Sequence, residues 1–269
     1  MDTHTCNKEK LTVVKVGGAI VEDSENLSQL LDNFAAIEGA KILVHGGGRR
    51  ATKVATKLGI ESHMVEGRRV TDADMLEVVT MVYGGLVNKN IVARLQARKV
   101  NAIGLTGADM DVIRSHRRKP VTIGDGQVVD YGFVGDVDKV SAKALKALIA
   151  EGITPVMAPL THDGMGNILN TNADTIASET AKALAKDFDV TLIYCFEKAG
   201  VLSNPDDEAS VIPTITNADF KRLVADGTIS GGMKPKIQNA LNAVEAGVRR
   251  VIITKASAID GNHGTAVLA

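Results

Sequence analysis

The stretch Val44-His45-Gly46-Gly47-Gly48, together with Lys15-Val16-Gly17-Gly18 upstream, decides the fold of this chain. In both places a short apolar run of β character ends abruptly in glycines, and a helix-like segment follows. Parallel strands that end in this way leave free backbone N–H groups at one edge of a sheet, where they bind anions. The sequence therefore predicts a site for negatively charged groups with a lysine beside it, and His45 is interpreted as a brace for its loop.

The rest of the chain alternates β-like and helix-like segments, which predicts an α/β fold with a mainly parallel central sheet. The expected strands span residues 11–16, 41–44, 101–105, 154–158, 190–195 and 251–254. The expected helices span residues 27–37, 49–58, 72–95, 142–150, 173–186, 217–226 and 233–246. The alternation stops between residues 112 and 134, where β-like pieces around 124–126 and 131–132 predict hairpins that cover one edge of the site.

Length and charge narrow the classes of function. The chain has 269 residues and a formal net charge of −1 at pH 7, so no basic field favours nucleic acid or a membrane surface. A short basic cluster is interpreted as a solvated loop; it consists of Arg114, His116, Arg117, Arg118 and Lys119. The sequence has no signal peptide and no apolar run of membrane-spanning length, which predicts a cytoplasmic protein.

Several common motifs for phosphates, metals and nucleophiles are missing from the sequence. It has no Gly-x-x-x-x-Gly-Lys-Ser/Thr, no Gly-x-Gly-x-x-Gly after the first strand and no protein-kinase set. The absence of Gly-x-Ser-x-Gly excludes a lipase-like oxyanion loop at His45. Neither His-Glu-x-x-His nor paired Cys-x-x-Cys is present, so no protein metal site is predicted. What remains is a glycine-lined anion site of another design.

An ordered set of motifs follows the two glycine loops. They are Gly67-Arg68-Arg69-Val70-Thr71-Asp72, Val87-Asn88-Lys89, Gly104-Leu105-Thr106-Gly107, Gly132-Phe133-Val134-Gly135-Asp136-Val137, Asn170-Thr171-Asn172-Ala173-Asp174, Lys198-Ala199-Gly200-Val201-Leu202 and Gly231-Gly232-Met233-Lys234-Pro235-Lys236. Taken in this order, from residue 11 to residue 265, the set resembles the amino-acid kinase family, and within it the kinases of N-acyl-L-glutamates. The resemblance implies a three-layer α/β/α sandwich in one domain, 1–269. Within it, an N-lobe over 11–160 would hold the acyl-glutamate and the dimer interface, and a C-lobe over 161–269 would hold ATP.

The resemblance also implies an activity and a set of site residues. The activity is ATP-dependent phosphorylation of the γ-carboxylate of an N-acyl-L-glutamate, in arginine biosynthesis, with Mg²⁺ carried by ATP. The implied catalytic residues are Lys15, Lys236 and Asp174, which orients both lysines. The implied nucleotide and phosphate ligands are Gly17, Gly18, Gly47, Gly200 and Lys236. The implied ligands of the amino-acid substrate are Gly46, Gly47, Arg69 and Asn170.

Elementary chemistry agrees with this set. A glutamate carboxyl group has a pKa of about 4.3 and is already ionised at neutral pH, so the acceptor needs no general base. Both reactants are anions, so the reaction needs positioning and charge neutralisation, which lysines and glycine loops supply. Each role has a structural alternative. In these alternatives Asp174 would stabilise a helix N-terminus and Lys236 would be a surface charge. Asn172 is a candidate N-cap of the same helix, which would leave Asp174 free for the lysines.

Two departures from the family pattern bear on the substrate. Arg49 and Arg50 follow the second glycine loop, where the family usually continues with proline and an acidic residue. Arg68 precedes Arg69, where the family usually has an apolar residue that lines the pocket for the acetyl methyl group. Because a guanidinium grips a carboxylate bidentately, the acyl group is expected to be acetyl or succinyl, with Arg68, helped by Arg49 or Arg50, contacting the succinyl carboxylate. In the alternative, Arg68 points to solvent.

Assembly and other functions remain as further expectations. About ten residues precede the first predicted strand, whereas arginine-inhibited members of the family carry an additional N-terminal helix. A homodimer without arginine inhibition is therefore expected, with the helix from residue 72 at its interface. The alternatives are another kinase of the same fold, acting on aspartate, glutamate, carbamate or UMP, and a non-catalytic binding protein of that fold.

Overall fold

An eight-stranded sheet forms the centre of the molecule in a computed structural model that describes residues 8–124, 126–231 and 233–268. The strands are β1 (Lys10–Val16), β2 (Ala40–His45), β3 (Met64–Val65), β4 (Arg68–Arg69), β5 (Ala102–Leu105), β6 (Ile113–Arg117), β7 (Val121–Thr122), β8 (Val128–Val129), β9 (Gly135–Val140), β10 (Thr154–Met157), β11 (Leu160–His162), β12 (Ile168–Asn170), β13 (Asp189–Phe196), β14 (Thr214–Ile215), β15 (Arg250–Lys255) and β16 (Thr265–Val267). The order across the central sheet is β14-β16-β15-β13-β1-β2-β10-β5.

Nine helices belong to the described ranges. They are α1 (Gly18–Glu22), α2 (Ser24–Ala36), α3 (Gly48–Lys57), α4 (Ala73–Val79), α5 (Asn88–Gln96), α6 (Ala142–Ala150), α7 (Ala173–Leu184), α8 (Asn217–Ala225) and α9 (Met233–Glu245). A π-helical segment, Thr80–Val87, joins α4 to α5. No helix in the described part of the chain is long and apolar enough to span a bilayer.

The central sheet is mainly parallel, as the sequence predicts. The β16 strand runs antiparallel to β15 and pairs in parallel with β14, so these two strands oppose the other six. Alternate residues of each buried strand point to opposite faces. Val13 belongs to one hydrophobic cluster, with residues of α7 and α9, and Val14 belongs to a second cluster, with residues of α2 and α3. Helices therefore cover both faces, and the three-layer α/β/α sandwich is confirmed.

The central sheet has two halves, one on each side of the pair formed by β1 and β13. The strands β2, β5 and β10 lie on one side of β1, and β13 to β16 lie on the other. The halves meet where β1 pairs with β13, with Val13 opposite Leu192. The N-lobe over 11–160 and the C-lobe over 161–269 stay a prediction.

The helix predicted from residue 27 begins earlier, and an additional short helix, α1, precedes it. The side chain of Asp23 accepts hydrogen bonds from the backbone N–H groups of Glu25 and Asn26, so α2 begins at Ser24. This is the ordinary N-cap arrangement of an aspartate. The apolar periodicity starts only at Leu27, which explains the late predicted start.

The region of predicted hairpins is more ordered than expected. One hairpin, β7–β8, is present around the turn at 124–126, of which Asp125 lies outside the described residues. A second, four-stranded sheet has the order β12-β11-β6-β9, and its strands β9, β11 and β12 were not predicted. Strands β11 and β12 have three residues each. Gly135–Val140 carries three charged residues, so it lacks the apolar run on which the prediction relied.

The basic cluster at 114–119 is not a solvated loop; that interpretation was wrong. Residues 114–117 belong to β6, which pairs with β9 and places basic side chains beside acidic ones. Ion pairs join Arg114 to Asp111, His116 to Asp138, Arg117 to Asp130 and Arg118 to Asp136. Four of its five members therefore have acidic partners, two of them on β9.

Candidate active site

The two glycine loops meet at the carboxyl ends of β1 and β2. The backbone N–H of Gly46 donates to the carbonyl of Val16 at 2.9 Å. A Cβ atom on Gly46 would lie 3.0 Å from the nitrogen of Gly18, and one on Gly18 would lie 3.5 Å from the nitrogens of Gly47 and Gly48. The absence of side chains thus lets the loops pack backbone against backbone. Since α1 and α3 begin here, unsatisfied N–H groups of two helices face the same edge.

His45 braces the second loop. Its ring is buried, and Nδ1 donates to the carbonyl of Gly46 at 2.9 Å while Nε2 accepts from the amide of Asn88 at 3.1 Å. The same amide nitrogen donates to the carbonyl of Val156. Burial lowers the pKa of His45 to about 4, so the imidazole is neutral at neutral pH. Both ring nitrogens are occupied, as a bracing role requires.

Three charged side chains lie close together next to the first loop. The Lys15 Nζ lies 2.8 Å from Asp174 Oδ1, with 10% of the lysine side chain exposed. The Lys236 Nζ lies 4.0 Å from the centre of the Phe196 ring, and Lys15 Nζ lies 5.6 Å from it. Both ammonium groups therefore lie near the same aromatic ring, and the carboxylate of Asp174, on α7, contacts one of them.

Burial lowers the pKa of Lys236, the charge of Asp174 raises it, and the charge of Lys15 lowers it. Asp174 contacts Lys15 directly and acts on Lys236 through space. It is free to do so because Asn172 caps α7, accepting from the backbone N–H groups of Asp174 and Thr175. This cap is the one expected from the sequence. Gly232, which precedes α9 and Lys236 in the motif, lies outside the described residues.

A cavity of about 190 Å³ lies on one side of the glycine loops. Its lining includes the predicted substrate ligands Gly46, Arg69 and Asn170 together with Arg68 and Arg118. The amide of Asn170 donates to the hydroxyl of Thr71 at 2.9 Å. The placement brings together every substrate residue predicted from the sequence except Gly47, which begins the turn into α3 beneath Tyr83.

Arg69 is held rigidly in this cavity. The residue is 8% exposed. Its guanidinium donates to the carbonyl of Gly48 and the hydroxyl of Thr52, each at 2.9 Å, and also to the hydroxyl of Ser62. Tyr83 packs beside it; burial raises the pKa of Tyr83, so this neighbour stays neutral. No carboxylate within 4 Å of Arg69 is found among the described residues, so its charge is available to an anionic ligand.

A larger cavity, of about 680 Å³, lies on the other side of the loops. It is lined by the predicted nucleotide ligands Gly17, Gly18, Gly200 and Lys236, and also by Phe196. Gly48 and Gly67 line both cavities, so the two adjoin. Gly200 has a packing reason as well, because a Cβ there would lie 2.8 Å from the hydroxyl of Thr265.

The model of the amino acid kinase family matches residues 10–255. The chain belongs to the amino acid kinase family.

Two named members of the family align with nearly the whole of this chain. The acetylglutamate kinase of Bacteroides thetaiotaomicron is 67% identical over 260 residues, which are 97% of this chain and 99% of that protein. The acetylglutamate kinase of Phocaeicola vulgatus is 66% identical over the same share of each chain. Among solved structures, smu.665 from Streptococcus mutans UA159 has a TM-score of 0.74 and 28% identity, covering 96% of this chain and 98% of that one.

The kinase structure also shows a residue that the sequence analysis missed. Arg118 is half-buried in the smaller cavity, where Asp136 accepts hydrogen bonds from its guanidinium and raises its pKa. Its only sequence signal was its place in the basic cluster. Arg49 lines the larger cavity and Arg50 a separate cleft near α1, whereas Arg68 lines the smaller cavity.

Proposed function

We propose that this kinase phosphorylates the γ-carboxylate of an N-acyl-L-glutamate with ATP and gives an acyl phosphate. The observation that carries the proposal is the pair of adjoining cavities. The smaller holds a charged arginine, Arg69, suited to a carboxylate, and the larger holds glycine N–H groups and Lys236, suited to phosphates. The two relatives from Bacteroides thetaiotaomicron and Phocaeicola vulgatus are named acetylglutamate kinases, which supports the same reaction. This phosphorylation would be a step of arginine biosynthesis, with the acyl phosphate as its product.

The residues around the junction would act by position and charge. The acceptor carboxylate of the substrate is ionised, so no residue has to remove a proton from it. Arg69 and Asn170 would hold the amino-acid part, and the glycine loops would donate N–H groups to the transferred phosphoryl. Lys15 and Lys236 would offset the negative charge as the phosphoryl moves between two anions. Asp174 would keep both ammonium groups charged and oriented.

Mg²⁺ would enter with ATP, bound mainly by phosphate oxygens and water. It would neutralise charge on the phosphates during transfer. The carboxylate nearest to the lysines, Asp174, is already in contact with Lys15, and its charge offsets the two ammonium groups. The donor set around the larger cavity is thus cationic and suits a nucleotide that brings its own metal ion.

The cytoplasmic location stays a prediction.

The test is a direct assay of product chemistry. Purified protein is incubated with ATP, Mg²⁺ and each candidate acceptor, and ADP release is measured together with trapping of acyl phosphate by hydroxylamine. We expect hydroxamate with N-acyl-L-glutamates and background values with aspartate, glutamate, carbamate and UMP. Turnover with one of the latter alone would favour another kinase of this fold, and no turnover with any acceptor would favour a binding protein.

We further propose that the acyl group is succinyl. Arg68 and Arg118 line the cavity of Arg69. Among the residues that the structure describes, Asp136 forms an ion pair with Arg118 alone, so the rim has a surplus of positive charge. Arg68 lies close enough to lower the pKa of Asp136, after the larger effect of Arg118. A methyl group gains nothing from this charge, whereas a distal carboxylate does.

For wild-type protein we expect kcat/KM to be at least about tenfold higher for N-succinyl- than for N-acetyl-L-glutamate, since a hydrogen bond to a charged group contributes roughly 1.5–3 kcal/mol. Arg68→Leu should reduce this preference, partly if Arg118 shares the contact. Arg50→Leu is the matched control, because Arg50 lines a separate cleft. Equal use of both substrates by wild type and by Arg68→Leu would show that Arg68 does not contact the acyl group.

A homodimer is proposed through the long helix that runs from α4 to α5. Met81 and Leu86 on its π-helical part are 53% and 41% exposed, although both are apolar. Burying them against a second copy would stabilise a dimer. Sedimentation should give the mass of a dimer, and Met81→Glu with Leu86→Glu should give a monomer. A monomeric wild type at micromolar concentration would contradict this assembly.

A further inference from the structure

Arg49 is an unexplained cation in the larger cavity. It is the second residue of α3 and directly follows Gly48, the residue at which the two cavities adjoin. Its Nη2 lies 3.7 Å from Oε1 of Glu197, the residue that follows β13. The side chain of Arg49 is 66% exposed and that of Glu197 is 71% exposed. An ion pair so exposed and so long contributes little to stability, so Arg49 can leave Glu197 at small cost.

Charges alternate from this residue to the predicted catalytic group. Arg49 pairs with Glu197, the charge of Glu197 acts on Lys236, Asp174 acts on Lys236 as well, and Asp174 contacts Lys15. Three cations thus face two carboxylates, and one positive charge remains. A nucleoside triphosphate adds several negative charges at this place, so the outermost cation is the one that is free to turn from a carboxylate to a phosphate.

We propose that Arg49 binds the terminal phosphate of ATP, exchanging Glu197 for phosphate oxygens when the nucleotide enters. The inference rests on the proposed function. A planar guanidinium fits two oxygens of one phosphate. The position next to Gly48, where the phosphoryl would pass from one cavity to the other, assigns this contact to the terminal phosphate and not to the base.

Binding measurements without turnover test the contact. Wild type, Arg49→Leu and Arg50→Leu are titrated calorimetrically with a non-hydrolysable ATP analogue, ADP and AMP. We expect Arg49→Leu to weaken binding of the ATP analogue at least about tenfold, the value for one charge-assisted hydrogen bond, and to leave ADP and AMP within about twofold. Arg50→Leu, altered at the neighbouring position of the same helix, should bind all three as wild type does.

The outcomes separate the inference from the proposed function. Unchanged binding of the ATP analogue by Arg49→Leu, or an equal loss for ADP, overturns the contact with the terminal phosphate. A wild type that binds none of the nucleotides overturns the proposed function and this inference with it. Arg49→Gln serves as a second variant if Arg49→Leu melts early, and it should show the same selective loss. Arg49→Lys should recover part of the affinity for the ATP analogue, because lysine retains the positive charge but lacks the planar guanidinium that binds two oxygens.

Discussion

Replacement of Lys236 by alanine is expected to lower kcat by about 100-fold or more and to change KM for ATP far less. The ammonium group lies against the Phe196 ring in a partly buried place, where a charge acts more strongly than in water. Negative charge redistributes as the phosphoryl moves, so a fixed cation at this point stabilises the transition state more than bound ATP. Steady-state kinetics with both substrates measure the effect.

Lys234→Ala is the matched control for this variant, because Lys234 is exposed and lies half a turn earlier on the same helix. It should keep wild-type kcat. A change confined to KM in Lys236→Ala would assign the residue to nucleotide binding alone. Burial lowers the pKa of Lys236, so activity should fall on the alkaline side at a pH below the ordinary lysine value as this ammonium group loses its proton.

Asp174→Asn is expected to lose about 99% of the activity while the protein keeps its melting temperature. Asparagine retains the shape of the side chain but removes the charge that lies 2.8 Å from Lys15 Nζ. Two ammonium groups would then face each other without a carboxylate, which weakens their orientation and repels one from the other. Helix α7 should not suffer, because its cap is Asn172.

Asn172→Ala gives the opposite pattern and serves as the control. Loss of an N-cap side chain costs about 1 kcal/mol of stability, so this variant should melt at a lower temperature and lose far less turnover than Asp174→Asn. Thermal unfolding and kcat are measured on both variants. If Asp174→Asn melted several degrees lower with near-normal turnover, Asp174 would be a helix-stabilising residue, as the structural alternative holds.

The fold and the two glycine loops of the site could be predicted from local sequence signals, which tertiary context does not change. A strand ending in Gly17-Gly18 beside one ending in Gly46-Gly47 implies parallel neighbours, and the structure has them in contact. The long helix over 72–95 was expected from its periodicity, though not its π-helical part. Strand β9 was not predicted, because it is stabilised by pairing with β6 and has no local run of apolar residues that would indicate a strand.

The direction of individual side chains was the other property that the sequence could not predict. Arg68 and Arg49 both stood out from the sequence, yet nothing local distinguished the cavity that each would line. Arg118 escaped altogether, because in a run of basic residues every member resembles a solvated charge. Its direction depends on Asp136, which reaches it from β9 across the second sheet. A residue whose partner is 18 positions away can be assigned only when that partner has been placed.

The shared wall at Gly48 and Gly67 has a consequence for ligand design. Neither glycine carries a side chain that would screen one cavity from the other. One molecule that joins an acyl-glutamate to an adenosine polyphosphate would occupy the smaller and the larger cavity together, with its linker passing Gly48 and Gly67. Its second half would bind at an effective concentration fixed by the linker. Such a bisubstrate compound would gain affinity over its halves without any new contact, and a linker too short to pass the glycines would forfeit that gain.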